Sequence, residues 1–200
     1  MLLTTSQAAA ELGIAVTTFR RLVHAGLLPG LSKRGVRVMI PLETVQALSE
    51  RPPAPLDAIS ANRFAVLRMD TARPTDLESD WMGFSADLTP DELLKTLRGW
   101  WRCDAAGVAA GGVLPVTVAG FVVAVLTSLN TWVSNDHGRH AFPDATLAGH
   151  VTDLATPAIH LTATTAKNRT LAKRLLGTRL PSRSGGPIAY ISTPELTEGP

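Results

Sequence analysis

Cysteine occurs once in these 200 residues, at position 103, and that scarcity excludes two kinds of protein. No internal disulfide can form, so a secreted scaffold stapled by bridges is ruled out, as is a zinc cluster built on several thiolates. Charge is sparse too, at 18% of residues against 45% apolar, which excludes global disorder and supplies material for a real core. From Ala105 to Asn135 there is no charged residue at all. A run of that length flanked by Trp100, Trp101 and Trp132 raises a membrane span as one reading. Its Gly111, Gly112, Pro115 and Gly120, its Val and Thr content and its breaks at Ser128, Asn130 and Thr131 fit a buried β-hairpin better, so no membrane partner is expected. The opening, Met1-Leu2-Leu3 before Thr4-Thr5-Ser6, has no charged n-region and no long apolar h-region. No export signal is read there, and a cytoplasmic location is expected.

The charge that is present is uneven: +3 over residues 1–52, −3 over 53–104 and +2 over 105–200. Contact with nucleic acid needs local rather than overall positive charge, which either end provides. The N-terminal end also carries a recognisable order of elements. Thr4-Thr5-Ser6 caps a short Ala-rich helix that stops at Gly13, and a second helix from Val16 closes at Gly26. Two short helices joined by three or four residues with a glycine form a helix-turn-helix, whose second helix reads DNA. Ile14, Phe19, Leu22 and Val23 recur at helical spacing and face Ala8, Ala9 and Leu12, leaving Val16, Thr17, Arg20 and Arg21 outward. Arg34-Gly35 turns a hairpin with Lys33, Arg34 and Arg37 at or beside its tip, placed to hold the backbone or minor groove. Pro41 then starts a third helix, Leu42 to Leu48, with Val45 and Leu48 inward.

Taken together, Leu3-Thr4-Thr5-Ser6-Gln7-Ala8-Ala9, Leu12-Gly13-Ile14, Thr18-Phe19-Arg20-Arg21-Leu22, Gly26-Leu27-Leu28-Pro29 and Val36-Arg37-Val38-Met39-Ile40-Pro41 resemble the winged helix-turn-helix shared by excisionases and the MerR family. The resemblance covers about a quarter of the chain. It implies DNA contacts at Thr17, Thr18, Arg20, Lys33, Arg34 and Arg37; family members commonly carry a polar or basic residue where Val16 stands.

Glu50-Arg51-Pro52-Pro53-Ala54-Pro55 reads as a stiff, extended connector. The expected division is therefore a winged helix-turn-helix over 1–51, a Pro-rich linker over 52–62, a strand-rich α+β domain over 63–193 and a tail over 194–200. In the strand-rich part, Arg63 to Asp70 alternates like a strand, and Thr89-Pro90-Asp91-Glu92 caps a helix running to about Trp101. Gly112 to Leu129 and Thr131 to Ser134 read as paired strands. An Ala141-Phe142 strand end, a strand from Ile159 to Thr164, a basic helix from Lys167 to Leu176 and a strand from Pro187 to Ser192 follow. The fold class predicted is α+β, a small winged helix-turn-helix followed by a barrel-like or curved sheet with a few helices.

Lys167, Arg169, Lys173, Arg174, Arg179 and Arg183 are six basic residues with no acid among them. A second DNA contact and a solvated positive face are the two readings. Asp136-His137-Gly138-Arg139-His140 with His150, Asp153 and His160 is the only cluster with acid-base or ligand chemistry, and its spacing matches no catalytic or metal motif. A turn with ordinary polar histidines is the simpler account, so neither an enzyme, a metal nor a cofactor is expected. Cys103 beside Trp100 and Trp101 reads as a small core residue, and the four tryptophans as core packing or the lining of an effector pocket.

The expected function is sequence-specific binding of double-stranded DNA by a bacterial or phage transcriptional regulator of repressor type, nucleoid-associated when bound. An excisionase or recombination accessory factor is the alternative within DNA binding, and a reader of a modified base or small ligand the alternative outside it. RNA polymerase or a recombinase would be the protein partner, and a homodimer and a two-domain monomer both stay open.

Overall fold

The computed structural model describes residues 1–75, 81–162, 165–182 and 186–193. Its first 49 residues run β1 (Leu2–Thr4), α1 (Thr5–Glu11), α2 (Val16–His24), β2 (Ser32–Arg34), β3 (Arg37–Pro41) and α3 (Leu42–Ser49). α1 starts where Thr4 and Gln7 close a reciprocal capping box. Phe19 and Leu22 of α2, Ala8 and Ala9 of α1, and Val45 and Leu48 of α3 are buried together with Leu27 and Ile40. The chain start, read in the sequence only as a cap, adds a third strand: β1 pairs with β3 antiparallel, giving the order β1-β3-β2.

The second part centres on a six-stranded sheet ordered β12-β11-β8-β7-β4-β13. Its strands are β4 (Arg63–Arg68), β7 (Val113–Val118), β8 (Phe121–Thr127), β11 (Thr146–Val151), β12 (Ile159–Leu161) and β13 (Ile188–Ser192). All pairs are antiparallel except β4 with β7. Two short two-stranded sheets lie outside it, β5 (Arg73–Pro74) with β6 (Trp81–Met82) and β9 (Val133–Ser134) with β10 (His140–Ala141). Three α-helices among the described residues complete the part. α4 (Pro90–Leu97) packs on β6 and β11, α5 (Ala105–Gly111) on β4 and β7, and α6 (Ala166–Leu175) on β8, β11 and β12.

The uncharged run is explained by this position: every residue of β7 and β8 is buried, because both faces of these central strands are covered. No helix among the described residues is long and apolar enough to cross a membrane. The sheet is open, with β12 and β13 as edges, so the barrel option is not realised. The capped helix α4 ends at Leu97 rather than near Trp101, whose backbone instead exchanges two 2.8 Å hydrogen bonds with His140. α5 and β11 stand where the sequence reading placed no element. β9, expected to join the long paired strands, pairs only with β10. The expected strand from Ile159 to Thr164 is β12, ending at Leu161; Ala163 and Thr164, Arg183 and the tail 194–200 lie outside the described residues.

The proline connector is docked along its length rather than standing free. The Arg179 N–H donates to Pro52 C=O and the Ala54 N–H to Arg179 C=O, both at 2.8 Å, and Arg51 Nε donates to Gly177 C=O at 2.9 Å. Buried apolar side chains from Leu3 to Ile188 form one continuous cluster.

Candidate nucleic-acid interface

α2 begins after Ala15, which has no side chain able to accept the first-turn amides. In α1 Thr4 fills that role; at α2 the N–H groups remain open to an external acceptor, and a phosphate oxygen is the acceptor a helix N-terminus favours. Thr17 and Arg20 are exposed on the side away from buried Phe19 and Leu22, with Thr18 partly exposed. Val16, expected to face outward, is partly buried and packs on the core.

Arg21 is diverted. Its Nε lies 3.4 Å from Asp70 Oδ1, in the loop after β4, with side-chain exposures of 43% and 69%. One turn beyond Arg20, exposed His24 continues the outward stripe of Thr17 and Arg20, and sequence reasoning passed over it by looking only at the helix start. Its signal was the spacing 17, 20, 24, one helical face.

The wing is a two-residue hairpin in which Arg34 pairs with Arg37 across Gly35-Val36. Gly35 adopts φ +61°, the conformation such a tight turn requires and glycine supplies without strain. Val36 at the tip is fully exposed, and Lys33, Arg34 and Arg37 are all exposed beside it. Three cations on a projecting ribbon suit phosphate or minor-groove contact.

The end of the recognition helix is clamped to the sheet region. The Ala86 N–H donates to Ala25 C=O at 2.8 Å, and the Leu154 N–H to Leu27 C=O at 3.0 Å. The N-terminal half of α2 and the wing stay clear of this clamp.

The second basic group does not form one face. On α6, Lys167 and Arg174 are seven residues apart and line the same groove, while Arg169 and Lys173 sit on the opposite flank of the exposed side. Arg174 is held by Asp57 at 2.9 Å, and Arg179 lies beyond the helix on the docked connector. The histidines are dispersed: His137 and His140 belong to the β9–β10 hairpin, and His150 stacks on His160 with ring centroids 5.0 Å apart. Burial, and then the charge of Asp104, push the Cys103 thiol up to about 11, far from a reactive thiolate.

No curated protein and no solved structure matches the chain. A family model described as a helix-turn-helix domain matches residues 2–51, from β1 through the end of α3. Its span coincides with the capped helices, the glycine turns and the wing, and residues 2–51 are thus a helix-turn-helix domain, a DNA-binding fold.

Proposed function

We propose that this protein is a sequence-specific double-stranded DNA-binding regulator of bacterial or phage type, acting in the cytoplasm and on the nucleoid. α2 enters the major groove, Thr17, Arg20 and His24 face the base edges, and Lys33, Arg34 and Arg37 hold the flanking backbone. The observation that carries this reading is the joint exposure of the α2 stripe and the wing cations inside the matched helix-turn-helix. On this reading it acts by binding DNA rather than as an enzyme. Selection of duplexes from a random pool, repeated with Arg20→Ala, tests it: one enriched sequence that the variant no longer prefers is the expected result.

An excisionase-type architectural role draws on the same surface, and one observation favours keeping it in view. The domain is hydrogen-bonded to the sheet region and shares one apolar cluster with it, so the sheet region adds surface beside α2 against which a duplex would bend. A circular-permutation mobility assay on the selected site separates the two, because a bend of tens of degrees is expected only of the architectural factor.

A further inference from the structure

A groove of about 960 Å³ lies in the sheet region, and no wing residue lines it. Trp81, Trp100 and Trp101 line it together with Arg98, Arg102 and Arg139. Soluble proteins rarely leave such side chains open: Trp81 is 40% exposed, Trp100 45% and the neighbouring Met82 46%. The walls are braced from behind. Thr96 Oγ1 donates to Trp81 C=O at 3.3 Å, and the Trp101 indole N–H donates to Leu97 C=O at 2.9 Å. Arg98 is braced in turn by the Pro143 carbonyl at 3.1 Å.

Indole faces alone would suit any flat apolar group. Three guanidiniums among them call for a flat group that repeats along an anionic chain. Among the described residues Glu92 is the one acid lining the groove, and Thr89 holds it in the α4 capping box through its N–H at 2.9 Å and its hydroxyl at 2.7 Å. We propose that this groove binds single-stranded DNA, with bases stacked on Trp81 and Trp100 and phosphates met by Arg102 and Arg139.

β6 and α4 form two walls, and the turn between them is the one whose Ala86 N–H clamps the end of the recognition helix. The proposal does not depend on the duplex reading, since the two surfaces share no side chain. The competing occupants are a basic peptide and a second copy of this chain.

The test is tryptophan emission of the full chain titrated with an oligothymidylate of about ten nucleotides, a length within the usual range for such platforms. Saturable quenching is expected. Trp100→Ala weakens it roughly 5- to 150-fold, the loss of one stacked base, whereas Trp100→Phe keeps most of the affinity. Arg139→Ala, in an exposed hairpin where folding is not at stake, lowers the salt slope by about 0.7. Arg20→Ala leaves the quenching intact while abolishing duplex preference, so failure of one surface is distinguishable from failure of the other. The proposal is overturned if no saturable quenching occurs, or if polyphosphate quenches as well as the oligonucleotide. It is equally overturned if an oligolysine binds in its place, or if the emission follows protein concentration as self-association would.

Discussion

The contrast between the neighbouring arginines of α2 gives the sharpest perturbation. Arg20 is exposed on the reading stripe, while Arg21 sits 3.4 Å from Asp70. Removing a genuine base contact costs about 1 to 3 kcal/mol, so Arg20→Ala should lower affinity for the selected duplex roughly 5- to 150-fold. Arg21→Ala should cost less than about threefold, because its charge is already matched by an acid in an exposed pair that is itself worth at most about 1 kcal/mol. A phosphate reaching Arg21 would approach to about 6 Å from Asp70, where like-charge repulsion is about 0.7 kcal/mol in water and larger at a protein surface. Asp70→Asn keeps the Oδ1 acceptor that receives the Thr71 N–H at 2.9 Å. It should tighten binding about threefold or more, and Arg21→Ala made in that background should become the costlier change. Fluorescence anisotropy on the selected duplex at two salt concentrations measures the four proteins of the Arg21–Asp70 cycle and Arg20→Ala beside them. Equal losses for Arg20→Ala and Arg21→Ala, with no gain from Asp70→Asn, would refute the assignment of the two roles.

Three other outcomes follow from particular residues. Replacing Lys33, Arg34 and Arg37 by Ala should weaken binding to all duplexes alike and flatten the salt dependence by about one unit for each phosphate no longer neutralised, measured by titration across salt. Gly83 adopts φ +109°, and a Cβ there would lie 2.3 Å from the Thr71 carbonyl oxygen, so Gly83→Ala should destabilise by more than the roughly 1–2 kcal/mol of the backbone strain alone, read from urea melts. Burial, and secondarily His160, hold the His150 imidazole below the usual histidine range, and its Nδ1 has no hydrogen-bond partner among the described residues. A lowered folded value means that the unfolded chain takes up the proton first. Stability should therefore fall as pH drops below about 6.5, and His150→Leu should flatten that dependence in melts between pH 7 and 5.

The N-terminal module was legible because its signals are local: a hydroxyl cap, glycines closing helices and two residues turning a hairpin. What it concealed depends on the rest of the chain. Nothing near Arg21 in the sequence announces Asp70, and the partial burial of Val16 is a matter of packing. In the second part, the uncharged run yielded strands because β7 and β8 are buried on both faces. α5 was missed because the uncharged run from Ala105 was taken as a buried β-hairpin, although Asp104 caps the helix through the Gly107 N–H and Gly112 closes it. β11 was hidden by Gly149, which is there because a Cβ would lie 3.0 Å from the His160 carbonyl of the neighbouring strand. The basic stretch suggested one face because charge was counted along the sequence, while the helical period sends Lys167 and Arg174 to one flank and Arg169 and Lys173 to the other. The tryptophan groove joins residues 81, 100 and 139 from separate elements, a juxtaposition no local pattern carries.

The measurement closest to the central claim is methylation interference at guanine N7 on a duplex selected by the full chain. Major-groove reading by α2 predicts that methylation of one or two guanines blocks binding, and that this sensitivity disappears with Arg20→Ala while the wing variants retain it. Failure to enrich any sequence over random DNA, or interference unchanged in Arg20→Ala, would contradict it.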